Sequence, residues 1–487
     1  MTAISLRSRR PRALGFLASA LFIAAGTVLA GWSGLGTVTA PPANPDPAGR
    51  PAGGTGGIVD QVPVPIPGAG TASLPAGSLA QLDHNIAAWT LNLEANPLDF
   101  ISATNLSTLY HARARLTADL ADHERALEAA RVAMAIAPTQ PGARLLEASI
   151  LLSLHDFRAA LAAADALYRE DPTQLGALAT RADAEIELGD LEAARRDLDV
   201  LADATGGPAV DVRLARLAAV SGDLDGAFDL ARRARAAAIA DGVDAAFYEY
   251  ALAEYARIAG DAAPARAGYE AALAARSTDL GALLGLARVQ AFDGEVDAAI
   301  ATLESAVAIA PTPEAEALLG DLLTIRAADP ARSDTERAAD ARAAATALGT
   351  VRLTRKLSVL AGAVYDRQLI LFDLDHGTAT VGTLVAARAA LAARPDAAGH
   401  DTVAWALHRL GRDDEAWIES LAARASGAAD ARTLAHAGAI AAALGDLRTA
   451  RELLARALAL GPALEPLERA EAHTVLARVD SASTAPG

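Results

Sequence analysis

The sequence predicts an all-α protein, a solenoid built of stacked helix–turn–helix repeats. The chain is 52% hydrophobic but only 4% aromatic, and alanine and leucine, which supply most of the apolar side chains, favour helices over sheets. Turn glycines recur at intervals of about 34 residues over long stretches. Small residues and prolines recur in the same register as these glycines. Together the three observations indicate short helices that turn back on each other many times.

The clearest repeat unit runs from Asp279 to Pro313. Its first half has apolar residues at helical spacing, and the pattern stops at Gly294, because glycine readily adopts the left-handed conformation that ends a helix. A second helix is expected from Glu295 until Pro311, since proline cannot continue a helix. Neither helix is long enough to be stable alone, so each must pack against neighbours.

Copies of this unit share a turn glycine, an alanine five residues later and a small residue twelve residues before that alanine. The turn glycines are Gly189, Gly222, Gly260, Gly294, Gly411 and Gly445. The alanines are Ala126, Ala160, Ala194, Ala227, Ala265, Ala299, Ala416 and Ala450, of which the first two lack a preceding glycine. The first-helix small residues are Ala148, Ala182, Ala215, Ala253, Ala287, Ala404 and Gly438, and stop prolines are Pro138, Pro172, Pro311, Pro395 and Pro462. Small residues at fixed places let paired helices approach closely.

This register resembles that of the tetratricopeptide repeat family, whose unit is a helix–turn–helix. The resemblance covers roughly residues 81–478, and it departs from the family where Arg144, Leu178 and Leu283 replace the usual tryptophan. It implies a right-handed α-solenoid whose concave surface binds another protein or a peptide. It also implies a protein that is not an enzyme and needs no cofactor.

Charge and composition exclude several functions. The formal net charge is −17, although the first twelve residues hold four arginines and no acid. Such an acidic surface repels nucleic acid and anionic lipid. The chain has no cysteine, which excludes disulfides, a thiol nucleophile and cysteine-ligated metals.

Residues 1–40 are expected to be a signal peptide or a membrane anchor. Four arginines precede the uncharged apolar run 13–30, which is typical of an export signal and is also just long enough to span a membrane. We expect export across, or anchoring in, the cytoplasmic membrane, with cleavage after Ala30 or retention as the two alternatives. The membrane would be contacted only through this segment.

The remaining boundaries follow from composition and register. Residues 41–78 are rich in proline and glycine and predict a disordered linker. Residues 79–312 predict a first repeat array with a cap helix, 313–356 a degenerate repeat or insertion, 357–478 a second array, and 479–487 a tail.

The repeat register places polar residues of the middle repeats on the first helices, on the face that the family uses for ligands. These candidates for a partner-binding groove are Asp183, Glu187, Arg216, Tyr250, Glu254, Arg257 and Arg288. A solvated charged face is the alternative interpretation. A second patch combines Asp401, Trp405 and His408, which share one helix face, with Tyr365, Asp373 and His376 of the preceding repeat. That patch could contact a peptide, hold zinc, or be ordinary packing.

An enzyme is the alternative class of function. The stretch Leu369–Thr378 resembles the first motif of haloacid-dehalogenase-type phosphatases, in which a strand presents two aspartates, here Asp373 and Asp375. A hydrolase site between Asp373 and His436 would follow, whereas the alternative reading of the stretch is a helix core followed by a turn. A self-assembling structural module is the third hypothesis. The preferred function is a non-enzymatic, envelope-facing scaffold for a protein or peptide.

Overall fold

The computed structural model describes residues 79–117, 119–240, 242, 245–360, 367–425 and 430–484. Within these ranges the chain forms twenty-two α-helices and one short 3₁₀ helix, and it has no strand. The signal or anchor expected in 1–40, the linker expected in 41–78 and the candidate Tyr365 lie outside the described residues. None of the described helices has both the length and the apolar character needed to cross a membrane.

The helices are short and nearly continuous along the chain. Their bounds are α1 Leu79–Ala95, α2 Phe100–Thr117, α3 Leu120–Ile136, α4 Pro141–Ser153, α5 Phe157–Glu170, α6 Leu175–Leu188, α7 Leu191–Ala204, α8 Pro208–Val220, α9 Leu224–Ala240, α10 Ala246–Ile258, α11 Ala262–Ala275, α12 Leu280–Phe292, α13 Val296–Ile309, α14 Pro313–Ala327, α15 Asp334–Leu360, α16 Arg367–Asp375, α17 Val381–Ala393, α18 Ala397–Arg409, α19 Asp413–Ala423, α20 Ala431–Ala443, α21 Leu447–Ala459 and α22 Pro466–Thr484, with the 3₁₀ helix at Gly461–Ala463.

Helices α2 to α21 form ten hairpins among the described residues, each made of an even-numbered first helix and the odd-numbered second helix after it. Successive hairpins pack side by side in chain order. Helix α1 covers the front of the stack, where Ile86 and Trp89 pack on Leu106. Helix α22 packs on α20 and α21 at the other end. The predicted all-α solenoid of helix–turn–helix repeats is confirmed.

The turn positions adopt the left-handed backbone that the register predicts. Gly189 has a φ of 80° and Gly294 a φ of 83°, and the other four turn glycines are also left-handed. The glycine is absent from the copy before Ala160, and His155 takes the left-handed conformation there with a φ of 61°. An aspartate often follows the turn and caps the second helix, as Asp190 does by accepting a hydrogen bond from the Ala193 amide.

The small residues of the register lie where helices cross. Ala287 and Ala299 of the clearest repeat have no exposed surface. A Cβ on Gly438 would lie 2.6 Å from Cγ of Leu454, so only glycine fits that crossing. The other alanines of the register are at most 1% exposed, namely Ala126, Ala148, Ala160, Ala182, Ala194, Ala215, Ala227, Ala253, Ala265, Ala404, Ala416 and Ala450. Side chains this small let the hairpins interlock at the density of a protein interior.

Residues 313–356, for which the sequence predicts a degenerate repeat or insertion, form most of the hairpin α14–α15. Leu318 and Leu322 of α14 pack with Ala344 and Ala347 of α15 and with Leu303 of the hairpin before. Helix α15 has 27 residues, more than any other described helix. Its buried residues, in the described part of the helix, are Asp340, Ala344, Ala347, Val351 and Thr354. Only one of them is a large apolar residue, which explains why the apolar pattern of α15 is weak in the sequence.

The C-terminal hairpins fold back onto the earlier hairpins, where they contact the first helices α6, α10 and α12 and the start of the second helix α5. We call α1–α15 the N-terminal array and α16–α22 the C-terminal array. Arg257 of α10 donates a hydrogen bond to the Pro462 carbonyl, and Arg288 of α12 binds Glu465. Arg158 of α5 donates to the carbonyl of Ala393, 235 positions further on. The concave surface, which the sequence predicts to be open, is therefore in contact with the protein's own C-terminal array.

Candidate binding groove

The middle first helices present a row of charged side chains that pair with one another. We call the face of α6, α8, α10, α12 and α14 that carries them the first-helix groove. In α6 and α8, the guanidinium of Arg213 donates to both carboxylate oxygens of Asp183, at 2.9 to 3.1 Å. Both side chains are buried. Burial raises the pKa of Asp183, although Arg213 opposes this rise.

One turn further along α6, Glu187 binds two arginines from different parts of the chain. Arg216 of α8 is the first partner. Arg394, which follows α17, is the second, with Nη2 2.6 Å from the Glu187 carboxylate and Nε donating to the Glu187 carbonyl at 2.8 Å. Asp183, Glu187 and Arg216 are all buried. Glu187 thus links the first-helix groove to the C-terminal array.

The centre of the groove is a mixed cluster of tyrosine, carboxylate and guanidinium groups. Arg257 donates to Glu254 at 2.9 Å, and the Tyr269 hydroxyl also donates to this carboxylate. Burial raises the pKa of Glu254, but Arg257 and its hydrogen bonds outweigh burial and lower it overall. The ring of Tyr250 lies over Gly281, where a Cβ would be 2.9 Å from Cε2. Burial also raises the pKa of Tyr250 well above its ordinary value.

Arg288 closes the row at α12. Its Nε donates to Glu465, which precedes α22, at 2.7 Å, and its Nη2 pairs with Glu314 of α14. Burial favours the neutral form of Arg288, yet Glu465 and Glu314 outweigh it and raise the pKa of this guanidinium. Arg288 therefore also joins the groove to the C-terminal array, as Glu187 and Arg257 do.

A separate stack of aromatic rings lies within the C-terminal array. Trp405 of α18 stacks on His436 of α20 with ring centroids 3.9 Å apart, and it also stacks on His408, at 5.0 Å. The indole Nε1 donates to Asp375 at 2.9 Å, and the Asp401 carboxylate lies 3.0 Å from His436 Nδ1. Burial lowers the pKa of His436, but Asp401 outweighs burial and raises it overall. Asp401, Trp405 and His408 share one face, as the sequence predicts.

Asp373 and His376 contact other helices rather than this stack. Asp373 pairs with Arg355 of α15 at 3.2 Å. His376 Nε2 lies 2.8 Å from Asp321 of α14, and its Nδ1 donates to the Phe372 carbonyl. The partner of Trp405 is instead Asp375. The stretch Leu369–Thr378 is the helix α16 and a turn, not a strand, and Leu369 is fully buried. The phosphatase-like reading needs an aspartate at a strand end, which this stretch does not provide.

None of the twelve described candidate residues is exposed; all are buried or half-buried. No group of three side chains suited to a metal ion occurs in the described part of the chain. Sequence reasoning missed three of their partners, Arg213, Arg394 and Glu465, and it did not pair Asp375 or His436 with Trp405. Arg213 had a local signal, since it lies on the same helix as Arg216 in α8. Arg394 and Glu465 come from distant repeats, so no local pattern in the sequence could pair them with the groove.

Helical hairpins stacked in chain order with interlocking alanines define the α-solenoid repeat proteins. The sequence model of the tetratricopeptide repeat family matches residues 256–322 of this chain, which extend from α10 into α14. This stretch of the chain is similar in sequence to the tetratricopeptide repeat family.

Solved structures similar to this chain include two tetratricopeptide repeat proteins and one chain of a hetero-tetramer. A tetratricopeptide repeat protein from Parabacteroides merdae is 16% identical over 54% of this chain and 93% of its own, with a TM-score of 0.39. A thermophilic tetratricopeptide repeat protein of Thermus thermophilus is 22% identical over 39% of this chain and 98% of its own, with a TM-score of 0.35. A chain of the APC/C hetero-tetramer Cut9–Hcn1 is 14% identical over 82% of this chain and 93% of its own, with a TM-score of 0.29. No curated protein sequence matches significantly.

Proposed function

We propose that the protein is a non-enzymatic scaffold that binds a protein or peptide partner in the first-helix groove. One observation supports this most strongly: the groove already binds polypeptide, although the polypeptide belongs to the same chain. Arg257 donates a hydrogen bond to the backbone carbonyl of Pro462, Arg288 pairs with the carboxylate of Glu465, and Glu187 pairs with the guanidinium of Arg394. These are the groups that any peptide segment offers. Tetratricopeptide repeats generally act by binding other proteins.

Site-specific photo-crosslinking in native envelopes tests this proposal. A photoreactive phenylalanine analogue replaces Tyr250, whose aromatic ring lies in the groove. The matched control places the same analogue at Val200, which is 47% exposed on the second helix α7. We expect a partner captured at position 250 and not at position 200.

Binding of the captured partner is then measured by calorimetry with the purified full chain. Arg288→Ala should weaken it about tenfold or more, the loss of one charge-assisted contact, when both chains compared carry Glu465→Ala and so lack the internal contact to Arg288. Equal capture at both positions, or affinity unaffected by Arg288→Ala, would contradict binding in the groove.

We also propose that the repeats lie on the outer side of the cytoplasmic membrane. The support is the order of charges and apolar residues in 1–30, which is typical of export. N-terminal sequencing of the protein recovered from fractionated cells tests this. A start at Gly31 indicates cleavage, and an intact N-terminus in the membrane fraction indicates an anchor. An intact N-terminus in the soluble cytoplasmic fraction would contradict the proposed location.

A further inference from the structure

The contact between the two arrays has two parts, and the first surrounds Arg394. Besides its bonds to Glu187, the guanidinium of Arg394 lies over the Phe157 ring, 5.2 Å from its centroid. In return, Arg158 of α5 donates to the carbonyls of Ala392 and Ala393, both at 3.1 Å. These are the last carbonyls of α17, where a cation also complements the helix dipole. Each array thus offers an arginine to the backbone of the other.

The second part surrounds the start of α22. In the groove, Arg257 donates a hydrogen bond to the Pro462 carbonyl and Arg288 donates one to the Glu465 carboxylate. Arg469 of α22 donates to the Ala291 carbonyl at 3.2 Å, and its guanidinium lies 5.0 Å from the centroid of the Phe292 ring. The segment 460–469 therefore occupies the groove as a bound peptide would, through one carbonyl, one carboxylate and one guanidinium.

Glycines bring the two backbones together at both places. A Cβ on Gly189 would lie 3.3 Å from the Pro395 carbonyl oxygen, and a Cβ on Gly260 would lie 3.1 Å from Cα of Leu460. Both glycines belong to turns of the repeat register and have a positive φ. The same turns that end first helices thus provide flat surfaces against which the C-terminal array docks.

The contact is polar, although each array has an apolar core. Among the described residues, the clusters of buried apolar side chains lie within one array, except where α14 and α15 meet α16 next along the chain. In the part of the chain that the structure describes, no cluster of buried apolar side chains joins the groove of α6–α12 to α17 or α22. Polar contacts between units of one chain resemble transient interfaces, which separate reversibly.

We propose that the C-terminal array is an internal ligand of the first-helix groove, and that a partner binds by displacing the segment 460–469. The proposal rests on the proposed function and names its regulation. The groove is closed in the free protein and open in the complex. The displacing segment presents the chemistry of 460–469, a proline-containing turn followed by a carboxylate and a guanidinium.

Distance measurement between spin labels tests the closure directly. The chain has no cysteine, so Glu192→Cys and Ala392→Cys give two unique labelling sites. Both positions are exposed and flank the contact between Gly189 and Pro395. We expect a short, narrow distance distribution in the otherwise unchanged full chain. Arg394→Glu should move part of the distribution to longer distances, because it places a carboxylate against Glu187.

The control variant is Arg388→Glu, which makes the same change of charge on α17. Arg388 is about half exposed and its ion pair is with Glu415 of the same array, at 3.8 Å. It should leave the distances unchanged. Arg158→Ala is a second opening variant, since Arg158 is exposed and its removal spares the core. Unchanged distances in both opening variants, with helicity retained by circular dichroism, would overturn the proposal, as would an equal change in the control.

A synthetic peptide of residues 458–471 tests the internal-ligand claim. Fluorescence anisotropy measures its binding to the unchanged chain and to the variant Glu465→Ala/Arg469→Ala, whose groove side chains are intact. We expect the variant to bind the peptide about tenfold more tightly or better, since the internal competitor is weakened. The same peptide with alanine in place of Glu465 should bind less tightly. Equal binding by both chains, or none by either, would overturn the proposal. If photo-crosslinking at position 250 still captured a partner, the proposed binding function would stand even though the internal-ligand proposal had failed.

Discussion

At the scale of single residues, the fold depends on side chains that are small or absent at crossings. Gly285 of α12 shows this best, because a Cβ there would lie 2.2 Å from the Tyr269 ring. Tyr269 is fully buried and donates its hydroxyl to Glu254. The ring therefore occupies the space that a side chain at position 285 would need. Packing at Gly285 thus positions Tyr269, which in turn binds Glu254 of the first-helix groove.

We predict that Gly285→Ala destabilises the protein, although alanine is the better helix former. Moving a buried ring in a close-packed core costs about 1–3 kcal/mol, which exceeds the gain in helix propensity of about 1 kcal/mol. Gly349→Ala in α15 is the matched control, because no atom lies within 4 Å of its added Cβ. It should be neutral or stabilising. Urea unfolding of both variants measures the difference, and equal effects would contradict this account of the crossing.

The ion pair between Asp183 and Arg213 leads to a second prediction. Removing Arg213 with Arg213→Met leaves a buried carboxylate unpaired and should lower the free energy of unfolding by about 3–5 kcal/mol. Adding Asp183→Leu removes the stranded charge and should restore most of the loss. Thermal and urea unfolding of the single and double variants form the test. A double variant as unstable as Arg213→Met would show that the carboxylate is not the cause.

At the scale of elements, the first hairpin carries the buried His111 and the half-buried His123, whose rings meet between α2 and α3. The centroids of His111 and His123 are 5.3 Å apart. Burial, the charge of His123 and the charge of Arg115 lower the pKa of His111 to about 3. Burial and the charge of Arg115 lower the pKa of His123 to about 4. The unfolded chain would bind protons at these residues from about pH 6.5 downward, whereas the folded hairpin would not.

We therefore predict that the protein loses stability as the pH falls from about 6.5 towards 4. Each histidine contributes at most about 1.4 kcal/mol per pH unit across this window. The double variant His111→Leu/His123→Leu should lose less stability between pH 7 and pH 5 than the unchanged chain. His84→Leu is the control, since His84 of α1 is exposed. Urea midpoints at both pH values decide it, and identical pH dependence in the double variant and the unchanged chain would refute the assignment.

The elements themselves could be predicted because their signals are local. A turn glycine such as Gly294, an alanine such as Ala299 and a stop proline such as Pro311 are read from neighbouring residues alone. Helix α15 gave a weak signal because Val351 is the only large apolar residue among its buried side chains in the described part of the helix. The pairing of Glu187 with Arg394 gave none, since it depends on how far the stack curves over more than two hundred residues. Curvature sums small rotations over many crossings, and no single motif encodes it.

At the scale of the whole molecule, the central claim is that the solenoid folds back and holds its own C-terminal array in the first-helix groove. The family resemblance predicts an open concave surface, and the structure instead buries or half-buries every described candidate side chain there. A long stack of hairpins can bring distant repeats together mainly through polar contacts. Arginines on both sides of the contact donate hydrogen bonds to backbone carbonyls and carboxylates that water would otherwise solvate.

A disulfide bond across the contact tests this claim most directly. A Cβ on Gly189 would lie 3.9 Å from Cβ of Asp396, which is within the range of disulfide geometry. In this cysteine-free chain, Gly189→Cys/Asp396→Cys should oxidise to a monomeric species of altered mobility that a reductant reverses. Gly294→Cys/Asp396→Cys is the matched control, because Gly294 has the same turn conformation and a Cβ there would have no neighbour within 4 Å. It should stay reduced. A first pair that stays reduced, or a control that bonds equally well, would show that the two arrays do not meet in this way.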